Sequence, residues 1–328
     1  MKPQRIEISA KTIVFTVLFL LSLYLLWSIR SVIVLFFFCF VSMEILNPSV
    51  SWLEQHKIPR PVAILMLYLL ILFTLSFALA AIVPILIEQT SALVNNLPHL
   101  LQNTHFLGVS AIDWSSQLKI LENLPANIAK TALSIFSNVF MAFVFFVVTF
   151  YLLMERKNLN KLSFVFFGSQ GKQKFLLIVA NLEKRLGSWF NAELVLMTII
   201  GLVSYLGYLV LGLRYAVPLA IVAGLLEIVP NIGPTVSTVL AATVALTISP
   251  LTAGLTILWG IIIQQLENNF IVPKIMNKSV GLHPLVTILL LLTGASLAGV
   301  PGAIFALPLY LTFESIFKVV VPSRFKQQ

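Results

Sequence analysis

The sequence predicts an all-α polytopic membrane protein, and three observations support that prediction. Hydrophobic residues make up 59% of the chain and charged residues only 10%, whereas a typical soluble domain has about 25% charged residues. Apolar runs long enough to cross a bilayer, about 20 helical residues, recur along the chain. Two further apolar stretches, 216–248 and 284–317, are too long for one crossing, and proline and glycine interrupt each near its centre.

Three predicted spans lie near the N terminus: 13–29, 32–53 and 62–87. A short connection containing Arg30 separates the first two, and a polar segment with Pro59 separates the second from the third. The first run has no small-residue cleavage site and leads directly into the next span. We therefore expect it to be retained rather than removed as a signal peptide.

The segment 88–130 is more polar than its neighbours and is predicted to form a short extracytoplasmic amphipathic insertion. Its leucines recur at helical spacing, as in helices that lie on a bilayer surface. A lid over a ligand site and a plain interfacial cap both fit this pattern, and the cap is the favoured interpretation. The fourth predicted span, 131–154, follows.

The segment 155–191 is the most basic part of the chain, and the positive-inside rule predicts that it is cytoplasmic. Between Phe175 and Trp189, apolar residues recur every three or four positions, which predicts an amphipathic helix. Packing beneath the bundle and lying on anionic lipid are both open for it. The fifth and sixth predicted spans are 192–213 and 251–271. The whole chain, 1–328, is expected to be a single transmembrane domain.

Charge and cysteine content exclude several classes of function. The net charge of +9 comes from basic residues in short loops beside apolar spans, so the expected partner is the lipid bilayer and not a nucleic acid. Cys39 is the only cysteine, so neither an intramolecular disulfide nor a thiolate metal cluster is expected. No Gly-rich phosphate loop of the Walker type occurs, which argues against direct ATP drive. We expect neither a cofactor nor a metal ion.

Charged side chains are costly inside a membrane, so carboxylates at apolar depth are the first candidates for function. Four residues meet this description: Glu44, Glu227, Glu267 and Glu314. Glu44 and Glu314 lie near the ends of their stretches. For these two we expect structural pairing with a basic side chain such as Lys318.

Glu227 lies three residues before Pro230 in a stretch that is otherwise uncharged. Pro230 and Pro234 leave backbone carbonyls without intrahelical donors, and Gly233 permits a tight turn between them. With the Asn231 amide, these groups predict a polar nest at membrane depth that lines a cavity. The alternative is a simple proline kink in which Glu227 has an ordinary partner.

A second polar cluster, residues 264–269, lies within the sixth predicted span. Gln264, Glu267 and Asn268 share one helical face by their spacing of three and four. Amides around a carboxylate suit a polar solute, or a cation that exchanges with a proton. Hydrogen bonding between helices is the alternative role. The predicted binding residues of both clusters are Glu227, Asn231, Gln264, Glu267, Asn268 and Asn269.

Four segments in this order carry a family resemblance. They read Leu-Leu-Glu-Ile-Val-Pro-Asn-Ile-Gly-Pro at 225–234, Gln-Gln-Leu-Glu-Asn-Asn at 264–269, Val-Gly-Leu-His-Pro-Leu at 280–285 and Gly-Val-Pro-Gly-Ala at 299–303. Together they resemble the signature of the autoinducer-2 exporter family of permeases, the PerM-like proteins. The resemblance implies export of a small polar signal, or ion-coupled antiport. Asn231 departs from the pattern, since the family often has an aromatic residue there, and this leaves the solute open.

Two topologies are compatible with the sequence. The family is commonly drawn with eight spans and both termini in the cytoplasm, which places Lys274 outside, against the positive-inside rule. In the favoured arrangement, six full spans accompany two re-entrant hairpins of opposite orientation, an inverted-repeat core whose tips meet near the midplane. Each arm has roughly 14 residues, about 20 Å of helix. The predicted gate residues at the hairpin tips are Pro230, Gly233, Pro234, Gly299, Pro301 and Gly302.

The leading hypothesis is a secondary transporter that exports a small polar solute, such as an autoinducer-2-like signal, by alternating access. A monovalent cation (sodium or lithium)/proton antiporter is the alternative. An enzyme is not expected, because neither a Gly-x-Ser-x-Gly elbow nor a His-Glu-x-x-His zinc motif occurs. We expect a homo-oligomer in the bacterial inner membrane.

Overall fold

The computed structural model describes residues 10–102, 130, 139–276, 282 and 284–320. Over these residues the chain forms helices joined by short turns, without any strand. Six of these helices are long and apolar enough to cross a membrane, so the predicted all-α polytopic class is confirmed. The helices are α1 (Ala10–Ser28), α2 (Arg30–Gln55), α3 (Arg60–Gln102), α4 (Val139–Glu155), α5 (Leu159–Val210), α6 (Ala216–Leu226), α7 (Ile232–Leu246), α8 (Pro250–Leu266), α9 (Val272–Met276) and α10 (Pro284–Val320).

Five of the six helices of spanning length coincide with predicted spans: α1, α2, the first part of α3, α4 and the second part of α5. The sixth is α10, which covers the second interrupted stretch. The predicted sixth span, 251–271, corresponds to α8, which continues through a π-helical turn (Glu267–Ile271) into the short α9.

Helix α3 is longer than predicted. It continues to Gln102, so the first part of the predicted insertion 88–130 extends the third span instead of forming a separate element. The physical reason is that residues 88–97 contain neither glycine nor proline to end the helix. Residues 103–129, the rest of that insertion, lie outside the described residues.

Helix α5 unites two elements that the sequence analysis kept apart. The predicted amphipathic helix and the fifth span form one uninterrupted helix of 52 residues, because no proline occurs between Leu159 and Val210. Leu182, Leu186 and Trp189 of its apolar stripe are buried against α2 and α10. The stripe therefore packs within the bundle, which is the first of the two alternatives given for it.

The first interrupted stretch folds as a helical hairpin. Helix α6 has 11 residues and α7 has 15, so each is too short to cross a bilayer alone. Ala216 and Leu219 of α6 share a buried cluster with Val244 and Ala245 of α7, which pairs the start of one arm with the end of the other. The predicted break is confirmed, since the turn occupies residues 227–231.

The second interrupted stretch also folds back, within α10. The backbone leaves helical geometry at Ala298 and Gly299, and Gly299 has a φ of 61°. The backbones of Gly294 and Gly302 lie so close that a Cβ on either would collide with the carbonyl oxygen of the other. In a continuous helix these residues would be about 12 Å apart along the axis. The contact therefore requires two antiparallel arms joined at residues 298–299.

The first hairpin opens toward the end of the molecule where α5 finishes. Leu213, just after α5, shares a buried cluster with Ala216 and Ala245 at the open end of this hairpin. Helix α8 then runs antiparallel to α5, because Trp259 lies against Gly207 while Glu267 faces Glu193 much earlier in α5. Helix α8 therefore returns the chain to the opposite end of the molecule from the open end of the first hairpin.

The second hairpin opens toward that opposite end. Arg185, about two turns before Glu193 in α5, donates a hydrogen bond to Glu314 near the end of α10, at 2.8 Å. Because the arms of α10 fold back on each other, its start at Pro284 lies at this end as well. The two hairpins thus have opposite orientations, as predicted. Both pack on α5, and within the described residues neither packs extensively on the other, so the meeting of their tips near the midplane stays a prediction.

Candidate functional site

The turn of the first hairpin places Glu227 in the interior. Glu227 follows directly on α6 and is fully buried. Asn231 ends the turn in the left-handed region, with a φ of 64°. Gly233 packs directly against the Leu226 carbonyl, where a side chain would collide, so glycine is required for this turn to close.

The carbonyl groups of this turn are largely satisfied, contrary to the predicted nest of free carbonyls. The Gly233 amide donates to the Val229 carbonyl and the Ile232 amide to the Pro230 carbonyl, both at 2.8 Å. The Asn231 carbonyl accepts from the Thr235 hydroxyl at 2.8 Å. The Glu227 carboxyl, by contrast, receives no hydrogen bond from a backbone or side-chain donor, although both of its oxygens are buried.

Glu267 meets Glu227 from the other side of the site. It begins the π-helical turn after α8 and is 1% exposed. Single π-helical turns inside α-helices occur frequently at functional sites. Its carboxyl lies within hydrogen-bonding reach of the Glu227 carboxyl. Since ionised carboxylates only accept hydrogen bonds, a bond between these two requires that the pair carry a proton.

A third carboxyl, which sequence reasoning missed, completes the site. Glu193 on α5 is fully buried, and neither of its oxygens has a hydrogen-bond partner. It lies within electrostatic range of both Glu267 and Glu227. We call these three residues the carboxyl trio.

A signal for Glu193 was present in the sequence. The apolar stripe of Leu186 and Trp189 continues through Leu196 and Ile200 at spacings of three and four, and Glu193 occupies a position in that same stripe. The predicted boundary between the amphipathic helix and the fifth span lay at residues 191–192, so Glu193 was expected at the end of a span. Treating the stripe as continuous would have placed it in the interior.

The amides of the second cluster are less central than predicted. Asn268 and Asn269 are exposed, whereas Glu267 between them and α8 points inward. The Asn269 amide donates to the Gln265 carbonyl at 2.8 Å and to its side-chain oxygen at 3.1 Å, both within the same helix. Gln264 is half-buried, as is Asn231 in the first turn. The structure therefore brings together Glu227 and Glu267 and leaves Asn268 and Asn269 on an outer face.

The predicted gate residues divide in the same way between inner and outer positions. Gly233, Pro234 and Gly302 are buried, and Gly302 is the point at which the two arms of α10 touch. Gly299 and Pro301 are exposed at the tip of the second hairpin, and Pro230 is half-buried in the turn of the first.

The other buried carboxylates have basic partners, as expected for Glu44 and Glu314. Arg156 contacts Glu44 at 3.4 Å and Glu183 at 2.6 Å. Glu314 pairs with Arg185 at 2.8 Å and with Lys318 at 2.5 Å. Within the described part of the chain, no basic side chain forms such a pair with the carboxyl trio. Burying an unpaired charge costs several kcal/mol, so the trio needs protons, a cation or a donor-rich ligand to neutralise it.

Comparison with known proteins identifies the family. The family of AI-2E transporters matches residues 13–321. The chain is 31% identical over 300 residues to the "Putative transport protein YueF" of Bacillus subtilis. The matched region covers 84% of this chain and 81% of that protein. It is 26% identical to YrrI of the same organism, over 80% of this chain and 79% of that protein. PerM of Escherichia coli is 29% identical over 140 residues, 41% of this chain and 39% of its own. The chain therefore belongs to the AI-2E transporter family and is a multi-pass membrane protein.

Proposed function

We propose that this protein is a secondary transporter that exports a small polar solute of the autoinducer-2 type by alternating access. The observation that carries the proposal is the carboxyl trio, Glu193, Glu227 and Glu267. It consists of buried carboxyls without basic partners, gathered where a short hairpin meets two long helices. Ionisable groups inside a membrane bundle are rare, and they mark solute and ion pathways.

Solute binding follows from the chemistry of the trio. Carboxylate oxygens accept hydrogen bonds, and a polyhydroxylated solute offers several hydroxyl donors. The half-buried amides of Asn231 and Gln264 lie in the same two segments as Glu227 and Glu267 and would orient such a solute. No enzymatic function is proposed, because the family is one of transporters.

Alternating access follows from the two hairpins. They open toward opposite ends of the molecule, so each is suited to gate the site from its own side. The end that holds Arg60, Arg156 and Arg185 is assigned to the cytoplasm by the positive-inside rule. We assign both termini to the cytoplasm and the protein, as a homo-oligomer, to a bacterial inner membrane.

A second candidate is monovalent cation/proton exchange. It is favoured by one observation, the lack of a basic partner for three adjacent carboxyls among the described residues, because a cation would neutralise them directly. Dissipation of a pH gradient in proteoliposomes on addition of sodium or lithium chloride separates the two candidates. Solute export alone predicts no response to either salt.

The test of the proposal is flux of labelled autoinducer-2 into and out of proteoliposomes. The protein is expected to give saturable flux that a proton gradient accelerates. Glu227→Gln is expected to lower the flux about 10- to 100-fold, because a lost hydrogen bond to a charged group is worth about 1.5–3 kcal/mol. Glu155→Gln, which changes an exposed carboxylate, is the matched control and is expected to transport normally. Flux that rises linearly with concentration in every variant would contradict the proposal.

A further inference from the structure

Glu193 differs from the other two members of the carboxyl trio in where it stands. Glu227 lies in a hairpin turn and Glu267 in a π-helical turn, so both belong to interrupted backbone. Glu193 lies inside α5, an uninterrupted helix that contacts both hairpins and α2. Glu193 thus belongs to an uninterrupted helix, whereas the two carboxyls that it faces lie in turns.

Hydrogen bonding also distinguishes Glu193. Glu227 and Glu267 can satisfy each other by sharing one proton, since their carboxyls lie within hydrogen-bonding reach. Glu193 has no such partner, although it is fully buried and lies in the electrostatic range of both. Even when that pair holds one proton, Glu193 adds a second buried negative charge unless it binds a proton or a cation of its own.

Among the described residues, no charged group around Glu193 can take the place of a proton or a cation. From the elements packed against α5, Glu227 and Glu267 face it directly. The charged groups of α2 and α10 are engaged elsewhere, since Glu44 contacts Arg156 and Glu314 is held between Arg185 and Lys318. Lys274 of α9 is exposed. The site is consequently surrounded by carboxyls, and like charges at close range are not all ionised together.

We propose that Glu193 is the proton-binding residue that couples the site to the proton gradient, while Glu227 and Glu267 contact the solute. This inference rests on the proposed transport function and specifies how that transport is driven. Without solute, Glu193 carries one proton and Glu227 and Glu267 share another, so the trio holds one negative charge instead of three. When a solute donates hydrogen bonds to Glu227 and Glu267 and stabilises both as carboxylates, the proton that they shared passes to Glu193, and Glu193 releases its own proton to water on the side to which the site is open. Solute and proton thus move in opposite directions.

Infrared spectroscopy of the protein in liposomes tests the protonation directly, without any solute. Only a protonated carboxyl shows the carboxylic C=O stretching band. The wild type is expected to show this band at neutral pH, and Glu193→Gln is expected to lower it by about half, since one of two protons on the trio is lost. Glu155→Gln removes an exposed carboxylate and is expected to leave the band unchanged.

Transport separates a coupling role from a merely structural one. Exchange of labelled for unlabelled autoinducer-2, at equal pH on both sides, is measured over a range of pH in wild type and in Glu193→Gln. In the variant, accumulation driven by a proton gradient is expected to be lost, and the exchange rate is expected to become independent of pH. Glu193→Asp, which keeps the ionisable group, is expected to restore part of the gradient-driven accumulation.

Two results would overturn the inference. An infrared band that is as strong in Glu193→Gln as in the wild type, or that is missing in the wild type, shows that Glu193 holds no proton. Gradient-driven accumulation that persists in Glu193→Gln shows that coupling lies elsewhere. Neither result bears on whether the protein transports at all, because the proposed function is tested separately, by the saturability of wild-type flux and by its loss in Glu227→Gln.

Discussion

Glu44 and Glu227 are both fully buried glutamates in apolar stretches, yet they have opposite surroundings. Glu44 contacts Arg156, which also binds Glu183, whereas Glu227 faces only carboxyls among its described charged neighbours. Burial alone therefore does not distinguish the two carboxylates, whereas the presence or lack of a basic partner does. Position in the sequence already predicted the two classes. Glu44 and Glu314 lie near the ends of apolar stretches, where a basic side chain is within reach, whereas Glu227 and Glu267 were predicted to bind a ligand.

The paired class has a measurable role in stability. Arg156→Met removes the cation that links Glu44 of α2 to Glu183 of α5, and it leaves Glu44 buried without a partner. We expect a loss of about 3–5 kcal/mol in the free energy of unfolding, the usual cost of breaking one half of a buried pair. Thermal unfolding in detergent, followed by tryptophan fluorescence, measures it.

The matched control is the neighbouring basic residue. Lys157→Met removes an exposed lysine that pairs with Glu54, and exposed pairs contribute about 0–1 kcal/mol. Equal destabilisation by the two substitutions would show that Arg156 does not hold the helices together through these carboxylates.

At the scale of elements, breaks between helices were easier to predict from the sequence than long uninterrupted helices. Proline and glycine at 230–234 and 299–302 mark turns directly, because they remove donors or permit positive φ, and both breaks were located. The continuity of α5 was missed, because a change from basic to apolar composition resembles a boundary while the backbone hydrogen bonds continue through it. Glu193 was missed for the same reason. The π-helical turn at Glu267 has no sequence signal that distinguishes it from an ordinary helix.

The arms of the second hairpin depend on small residues at their contact. Gly302→Ala places a methyl group against the Gly294 carbonyl, where the backbone leaves no room. We expect destabilisation by about 1–3 kcal/mol, the typical cost of overpacking, seen as a lower unfolding temperature.

Gly254→Ala is the comparison for this substitution. Gly254 is also helical, but it has no neighbour within 4 Å of an added Cβ, so alanine there is expected to stabilise the helix by up to about 1 kcal/mol. If Gly302→Ala were as stable as Gly254→Ala, the arms would not be in the close contact described.

At the scale of the whole molecule, the basic residues of the ion pairs gather at one end. Arg60, Arg156 and Arg185 lie there with the end of α10, and the first hairpin opens at the other end. The loop charges in the sequence predicted this orientation. If Lys274 is cytoplasmic, the span that corresponds to α8 has to bring the chain back to the cytoplasmic side. Each hairpin packs on α5, and the meeting of the hairpin tips near the midplane stays a prediction.

The topology can be measured by labelling single cysteines in a Cys39→Ala background. Ile248, between α7 and α8, and Lys274, in α9, are both exposed and lie toward opposite ends of α8. Because the hairpins open toward opposite ends, an impermeant thiol reagent is expected to reach Lys274→Cys from the cytoplasmic side and Ile248→Cys from the outside. Labelling of Lys274→Cys from the outside alone would instead support eight spans.

The central claim is that the buried carboxyls without basic partners form the transport site. The most direct measurement is the flux of labelled autoinducer-2 in proteoliposomes that contain Glu227→Gln, beside wild type and Glu155→Gln at equal protein density. The account predicts normal flux for Glu155→Gln and a loss of about 10- to 100-fold for Glu227→Gln, with both variants inserted and folded. Wild-type flux in Glu227→Gln would contradict it.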